Sequence, residues 1–290
     1  ANIEVDIEYI PLDMLDDNSY MEVSSNDPMS PKAYSSQEGY GSYFATVIDS
    51  HEQDGVLESD ILFVIDNSGS MYRNQTSLAN NFDSFINTFA SSGVDYKIAF
   101  ITTDNGDEFV DGLIITNSST DPIADVNSVV SSIGTGGSPM ERGLYESYVA
   151  TSGGGPADPG GTFMRPDAKF VVIYISDEPD HSYSSYSSMT TSDYSSHLLG
   201  LKTSSALISA HAVAGDFPSG CSGGGTGAQF GDGYYDVVSD LGGTFVSMCA
   251  TDWGAQMEEL ARESISSNLF ELSDLSYLKS KQSYFFLFLI

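Results

Sequence analysis

Positive charge is what this sequence most lacks: ten lysines and arginines stand against 41 aspartates and glutamates in 290 residues, a formal net charge of -31. Binding a phosphate backbone requires Lys and Arg to displace its counterions, so nucleic acid is excluded as a partner. An anionic membrane surface is disfavoured on the same ground. A surface of this sign draws cations and stays dispersed in salty water, where screening shortens its self-repulsion. Cysteine is nearly absent. Cys221 and Cys249 suit one disulfide in an oxidising compartment, two buried thiols being the alternative. The four histidines, His51, His181, His197 and His211, have no ligand-like spacing and read as incidental. Long apolar runs are missing too. Residues 284–290, Tyr-Phe-Phe-Leu-Phe-Leu-Ile, are far too few to span a bilayer, so direct membrane insertion is not expected; they read as a strand or a docking end. No Ser–His or Cys–His arrangement can be placed and no Gly-rich loop ends in Lys-Ser or Lys-Thr, so the chain is not expected to be an enzyme.

What is present is a core. Hydrophobic residues make up 40% and aromatics 12% of the chain, enough to fold. Residues 1–55 are acidic, rich in Ser, Tyr and Pro, and weakly patterned. They form an N-terminal extension, irregular or β-rich, with strict alternation at 3–8 and a second candidate strand at 43–48. From Asp60 the pattern sharpens. Ile61-Leu62-Phe63-Val64-Ile65 and residues 169–175 are unbroken apolar runs, as in strands buried on both faces. Leu78, Phe82, Phe85, Ile86 and Phe89 recur at helical spacing. Residues 97–102 and 112–116 suggest a hairpin about Asp104-Asn105-Gly106-Asp107, whose acidic cluster, with Glu108 and Asp111, fits no calcium-loop pattern. Asp121-Pro122 opens a helix as N-cap and N1 proline. Further helices are expected at 140–151, 193–203, 234–241 and 252–267, and strands at 206–214 and 244–248. Strands alternating with helices predict an α/β, doubly wound, mainly parallel sheet flanked by helices on both faces. The α/β domain spans 56–268, with a tail or strand at 269–290.

Asp66-Asn67-Ser68-Gly69-Ser70 follows the first buried strand. In open α/β sheets ligands bind beyond the carboxyl ends of the strands, where strand order reverses. A carboxylate and two hydroxyls at alternate positions on a tight turn can converge on one hard cation. Oxygen donors suit Mg2+, Mn2+ or Ca2+, with Mg2+ preferred here. The alternative is that Asp66 and its serines only cap the next helix.

At these residues the chain resembles the von Willebrand factor A family, including integrin inserted domains, whose metal-ion-dependent adhesion site begins with Asp-x-Ser-x-Ser. The resemblance implies a Thr-type ligand in a second loop. Gly136-Gly137-Ser138-Pro139-Met140-Glu141-Arg142-Gly143-Leu144 supplies Ser138 there, a departure, with Thr135 as the alternative. It implies an Asp after the next buried strand, matched by Asp177. The tail, with Cys221, Gly242-Gly243, Cys249 and Asp252-Trp253, looks like that of secreted bacterial members, which implies a Cys221–Cys249 disulfide and an extracellular or surface-displayed place. The function implied is adhesion: a divalent cation on Asp66, Ser68, Ser70, Ser138 and Asp177 holds the carboxylate of a protein or glycan partner. The resemblance also makes the last helix the moving element.

Residues 182–196 follow Asp177 and mix Tyr183, Tyr186 and Tyr194 with serines, a composition that gives large contact area at low entropy cost. With Glu178 they are the expected partner-binding surface, a solvated loop being the alternative. The competing function is a structural part of a larger extracellular assembly, such as a virion, pilus or fibre, self-associating through its terminal segments.

Overall fold

A computed structural model describes residues 57–223 and 226–265. The expected strands in the N-terminal extension, the 269–290 tail and His51 lie outside them.

The first strand, β1 (Glu58–Ile65), leads through a 3-10 turn at Gly69–Met71 into helix α1 (Tyr72–Ser92). Gly93, with φ 75°, ends α1 in the left-handed conformation that glycine adopts without a Cβ penalty. Strand β2 (Asp95–Thr102), the short β3 (Ile115–Thr116), α2 (Pro122–Ile133), α3 (Gly143–Thr151) and β4 (Lys169–Ile175) follow. Then come α4 (Ser182–Ser185), α5 (Thr191–Leu199) and β5 (Ile208–Ala214). A two-stranded hairpin, β6 (Cys221–Gly223) with β7 (Thr226–Ala228), precedes α6 (Tyr234–Asp240), β8 (Phe245–Ser247) and α7 (Trp253–Ser264).

The main sheet has the order β3-β2-β1-β4-β5-β8. Every pairing is parallel except that of β2 with β3. This is the expected doubly wound architecture. The chain first builds outward from β1 through β2 to β3, then returns to place β4 on the other side of β1. The strand order therefore reverses between β1 and β4, where a crevice opens at the carboxyl end.

Alternate residues of β1 feed two cores. Ile61, Phe63 and Ile65 face α1, α2 and α7; Leu62 and Val64 face α3, α5 and α6. On the first side Phe63 stacks on Phe100 at 5.1 Å and meets Phe82 and Phe85 at 5.0 and 5.2 Å. Edge and offset aromatic contacts of this kind each add about 0.5–1.5 kcal/mol beyond burial. At the lower end, Asp60 is fully buried, and its carboxylate accepts from Arg165 Nε at 2.8 Å and Arg165 N at 2.6 Å. Arg165 also reaches Glu58 and Asp95.

Several expected boundaries move. The partner of β2 keeps its antiparallel sense but shrinks to Ile115–Thr116, because residues 103–114 turn away and include a 3-10 turn at Val110–Gly112. Helix α3 starts at Gly143 rather than 140, since Pro139 and its neighbours form the loop that docks on the β1–α1 turn. Helix α5 is opened by a Thr190–Asp193 capping box and stops at Gly200. Asp121 caps α2, its side chain accepting from Ala124 N at 3.0 Å, with Pro122 at N1, as the sequence predicts. The β6–β7 hairpin and α4 were not expected.

Candidate metal centre

Asp66 begins where β1 ends. Its backbone N–H donates to Ile175 O at 2.9 Å, so the ends of β1 and β4 are bound together at the crevice. The Asp66 side chain turns back into the loop. Oδ1 accepts from Ser68 N at 2.7 Å, and Oδ2 from Ser176 Oγ at 2.8 Å. The Ser68 and Ser70 hydroxyls lie 2.9 Å apart, and Ser70 Oγ donates to Asp177 Oδ1 at 3.0 Å. Asp66, Ser68, Ser70 and Asp177 thus form one continuous cluster of oxygens from two loops. Asp66, Ser68 and Asp177 are buried while Ser70 is exposed, so the cluster opens to solvent on the Ser70 side.

The second loop docks beside it. Gly137 N donates to Asn67 O at 2.7 Å. A Cβ on Gly137 would stand 2.3 Å from Asn67 Oδ1, so any other residue here would have to displace the Asn67 side chain. Gln75, buried on the first turns of α1, clamps both loops: its Nε2 donates to Asp66 O at 2.9 Å and to Gly134 O at 2.8 Å. Ser138 is placed on this loop but is not joined to the four oxygens by a hydrogen bond. Its N–H donates to Asp104 Oδ2 at 2.7 Å and its hydroxyl accepts from Met140 N at 3.1 Å. Asp104 therefore serves to hold the second loop.

The loop instead delivers Glu141, which sequence reasoning passed over. Glu141 is fully buried. Its Oε2 accepts from Thr103 Oγ1 at 2.5 Å, and its carboxyl touches that of Asp66. Oε1 meets no donor. Burial, then the charge of Asp66, push Glu141 up to about 8; burial also raises Asp66. Burial, with the Asp66 charge second, pushes Asp177 up to about 6. Two facing carboxylates offer each other no donor, so a shared proton or a cation has to join them. An acidic residue inside a loop already expected to touch Asp66 was the available signal for Glu141.

The donor set fits a hard cation: carboxylates and hydroxyls, with neither sulfur nor imidazole. Among the described residues, no three His, Cys, Asp or Glu side chains form a metal cluster without the hydroxyls.

The neighbouring loop is only partly the expected surface. Tyr183 is 62% exposed and Tyr186 41%. Tyr186 stacks near Tyr145 and lies under the Arg142 guanidinium at 4.3 Å. Tyr194 is a correction: it is buried, on the inward face of α5 with Leu198 one turn on, and packs edge-on against Tyr148. It cannot contact a partner. Glu178 is half-buried beside the cluster, its backbone N–H and C=O both bonded to Ser176 Oγ. Asp180 is structural. It caps α3 through Leu144 N at 3.0 Å, and burial lifts it to about 6. His211 is also structural: it accepts from Thr244 N through Nδ1, and burial lowers it to about 4. Cys221 and Cys249 are joined by a disulfide that ties the β6–β7 hairpin to the segment before α7. Among the described residues no helix is long and apolar enough to cross a membrane.

No family model matches this sequence, and no curated protein does. Solved structures match it at low identity. A von Willebrand factor type A protein from Catenulispora acidiphila is 14% identical with a TM-score of 0.46, over 72% of this chain and 43% of that one. Proximal thread matrix protein 1 from the mussel byssus is 14% identical with a TM-score of 0.41, over 73% and 47%. The conserved hypothetical protein BatB from Bacteroides thetaiotaomicron is 10% identical with a TM-score of 0.39, over 71% and 96%. The chain thus spans less than half the length of the first two. In strand order and helix placement the chain is an α/β, doubly wound protein.

Proposed function

We propose that this protein is a binding module, not an enzyme, which takes up a divalent cation at the Asp66 loop and through it holds a carboxylate-bearing partner. One observation carries the reading: buried carboxyls of Asp66 and Glu141 in contact, with Asp177 nearby across Ser70, and no donor for Glu141 Oε1. Asp66, Ser68, Ser70 and Asp177 would hold the ion, with Ser138 on the adjoining loop. Mg2+ is the preferred ion, and Mn2+ and Ca2+ share its taste for oxygen. Bound there, it supplies a Lewis-acidic centre for a partner's carboxylate. The net charge of -31 concentrates cations at the surface and repels an acidic partner at long range. Contact therefore depends on the local centre and on Tyr183 and Tyr186, which stand exposed on α4 and directly after it. Glu141, which holds its proton to about pH 8 without metal, would add a negative charge behind Asp66 once a cation displaces that proton, beyond what the family resemblance implies. That charge strengthens retention of the cation and weakens its pull on an incoming carboxylate.

The disulfide supports an oxidising, extracellular or surface-displayed setting. Calorimetric titration of metal-free protein with Mg2+, Mn2+ and Ca2+, beside Asp66→Ala, tests the proposal. Saturable binding lost in the variant supports it. Absence of binding, or binding that survives the substitution, overturns it in favour of a structural role in an assembly.

A further inference from the structure

We propose that the aromatic patch at the β8 edge of the sheet docks residues 284–290 of the same chain. This does not depend on the cation reading. Four rings form a continuous row there. Phe217, in the loop after β5, stacks on Tyr235 of α6 at 5.3 Å and meets Phe230 edge-on at 5.3 Å; Tyr235 in turn meets Phe245 of β8 at 5.4 Å. Phe217 is 63% exposed, and the other three are half-buried. Exposed apolar patches of this kind mark surfaces that bind something. The row ends on an open edge, because β8 is the last strand of the sheet. Ala212 N donates to Thr244 O and Met248 N to Ala214 O, so the even positions about β8 face β5. The N–H and C=O of Phe245 therefore turn away from β5, and among the described residues neither has a hydrogen-bond partner. An extended apolar segment laid along this edge would cover the rings and pair the backbone together.

The chain carries one segment of matching chemistry. Residues 284–290 are Tyr-Phe-Phe-Leu-Phe-Leu-Ile, and Lys279 and Lys281 precede them with no Asp or Glu anywhere from 275 to 290. In so acidic a protein that stretch is exceptional, and the patch has the opposite charge. Asp216 adjoins Phe217, and Asp232 and Asp236 are exposed beside Phe230 and Tyr235. Asp236 is raised by burial and by the charges of Asp232 and Asp240, so these carboxylates stand close together. Among the described residues none of them forms an ion pair. Lysines can answer both the carboxylates and the ring faces. The reach is sufficient. Helix α7 ends near the starts of β1 and β4, where Ser264 O accepts from Ser59 Oγ and Glu263 O from Lys169 Nζ. Residues 266–283 join it to the apolar run; at full extension they can cover about 60 Å, against about 25 Å for the length of a strand such as β1.

The test is photo-crosslinking in the full chain carrying Phe286→p-benzoylphenylalanine. Light and heavy-isotope-labelled protein are mixed in equal amounts, irradiated, digested and mapped by mass spectrometry. The expected crosslinks join residue 286 to 215–217 or 230–235 and pair peptides of one label. Their yield should be the same in EDTA, in Mg2+ and in Asp66→Ala, which separates this result from the fate of the cation reading. Phe217→Ser, at an exposed position, should cut the yield several-fold without touching the core. Lys279→Glu with Lys281→Glu should cut it at low salt, and the loss should fade at high salt, where charges are screened. Crosslinks that map elsewhere, or a yield unchanged in either variant, overturn the proposal. Pairs of mixed label also overturn it, and assign the patch to a contact between two copies of the chain.

Discussion

The carboxyl of Glu141 rests against that of Asp66 with both residues closed to solvent, although the two arrive from different loops. Thr103 binds one oxygen of Glu141, and among the described residues nothing donates to the other. The pair is held together by the fold and driven apart by its charge. Its behaviour is therefore expected to change sharply with protons and cations.

Replacing Glu141 by Gln keeps the shape and supplies an N–H that Asp66 can accept. Glu141 has a folded value of about 8, far above its unfolded one, so its ionised form burdens the fold at high pH. E141Q is expected to stabilise the metal-free protein at pH 9 by on the order of 3 kcal/mol, with little gain at pH 4. Urea unfolding at the two pH values measures the difference. An equal effect at both would show that the Glu141 charge does not matter.

The wild-type protein without metal should lose stability as pH rises. Asp177 and Asp180 are raised to about 6 and Glu141 to about 8. Groups raised in the folded state bind protons more tightly there. Their contribution is complete below the unfolded values and is lost as pH climbs through 6 and 8. The melting temperature in EDTA should therefore fall between pH 5 and pH 9. Mg2+ at about 100 times its dissociation constant should restore roughly 2.7 kcal/mol at pH 8, with release of protons. Scanning calorimetry over pH, with and without Mg2+, gives both quantities.

The tyrosines divide by burial. Tyr183→Ser with Tyr186→Ser should leave stability within about 1 kcal/mol of wild type, as exposed positions do. Tyr194→Ser should cost about 3 kcal/mol, since it empties a packed site under α5. Chemical denaturation of the two variants separates them. Equal costs would mean that the exposed pair also packs.

The Cys221–Cys249 bond closes a loop with a sequence separation of 28. On the chain-entropy account its removal should cost about 3.5 kcal/mol. Because it pins the hairpin beside α7, protease cleavage in the double Cys→Ala variant should begin there. Limited proteolysis with mass spectrometry locates the cut.

Much of this was legible beforehand where local chemistry decides the outcome. The unbroken apolar runs of β1 and β4, the Asp121-Pro122 start of α2 and the alternation of strands with helices all state their structure within a few residues. The placing of Asp177 near Asp66 came instead from the family resemblance, and in the structure Ser70 Oγ bridges the two loops by donating to Asp177 Oδ1. What stayed hidden is set by contacts far apart in sequence. Glu141 looks like any loop acid until Thr103 and Asp66 close around it. Tyr194 reads as surface among serines, and only its one-turn spacing from Leu198 reveals the buried side. β3 keeps just two residues because the chain between it and β2 is pulled toward α3, where Gly106 N donates to Glu146 at 2.6 Å.

The position of β1 has a mechanical consequence. It carries Asp66 at one end and the Arg165–Asp60 clamp at the other, and it runs parallel to β2 through eight paired residues and to β4 through seven. A pull applied at Asp66 acts along the strand axis. Both flanking ladders must then shear together, rung against rung, instead of opening one after another like a zipper. A tether loaded at that loop would hold against tension far better than one loaded at the edge strand β8, whose pairing with β5 is only three residues long.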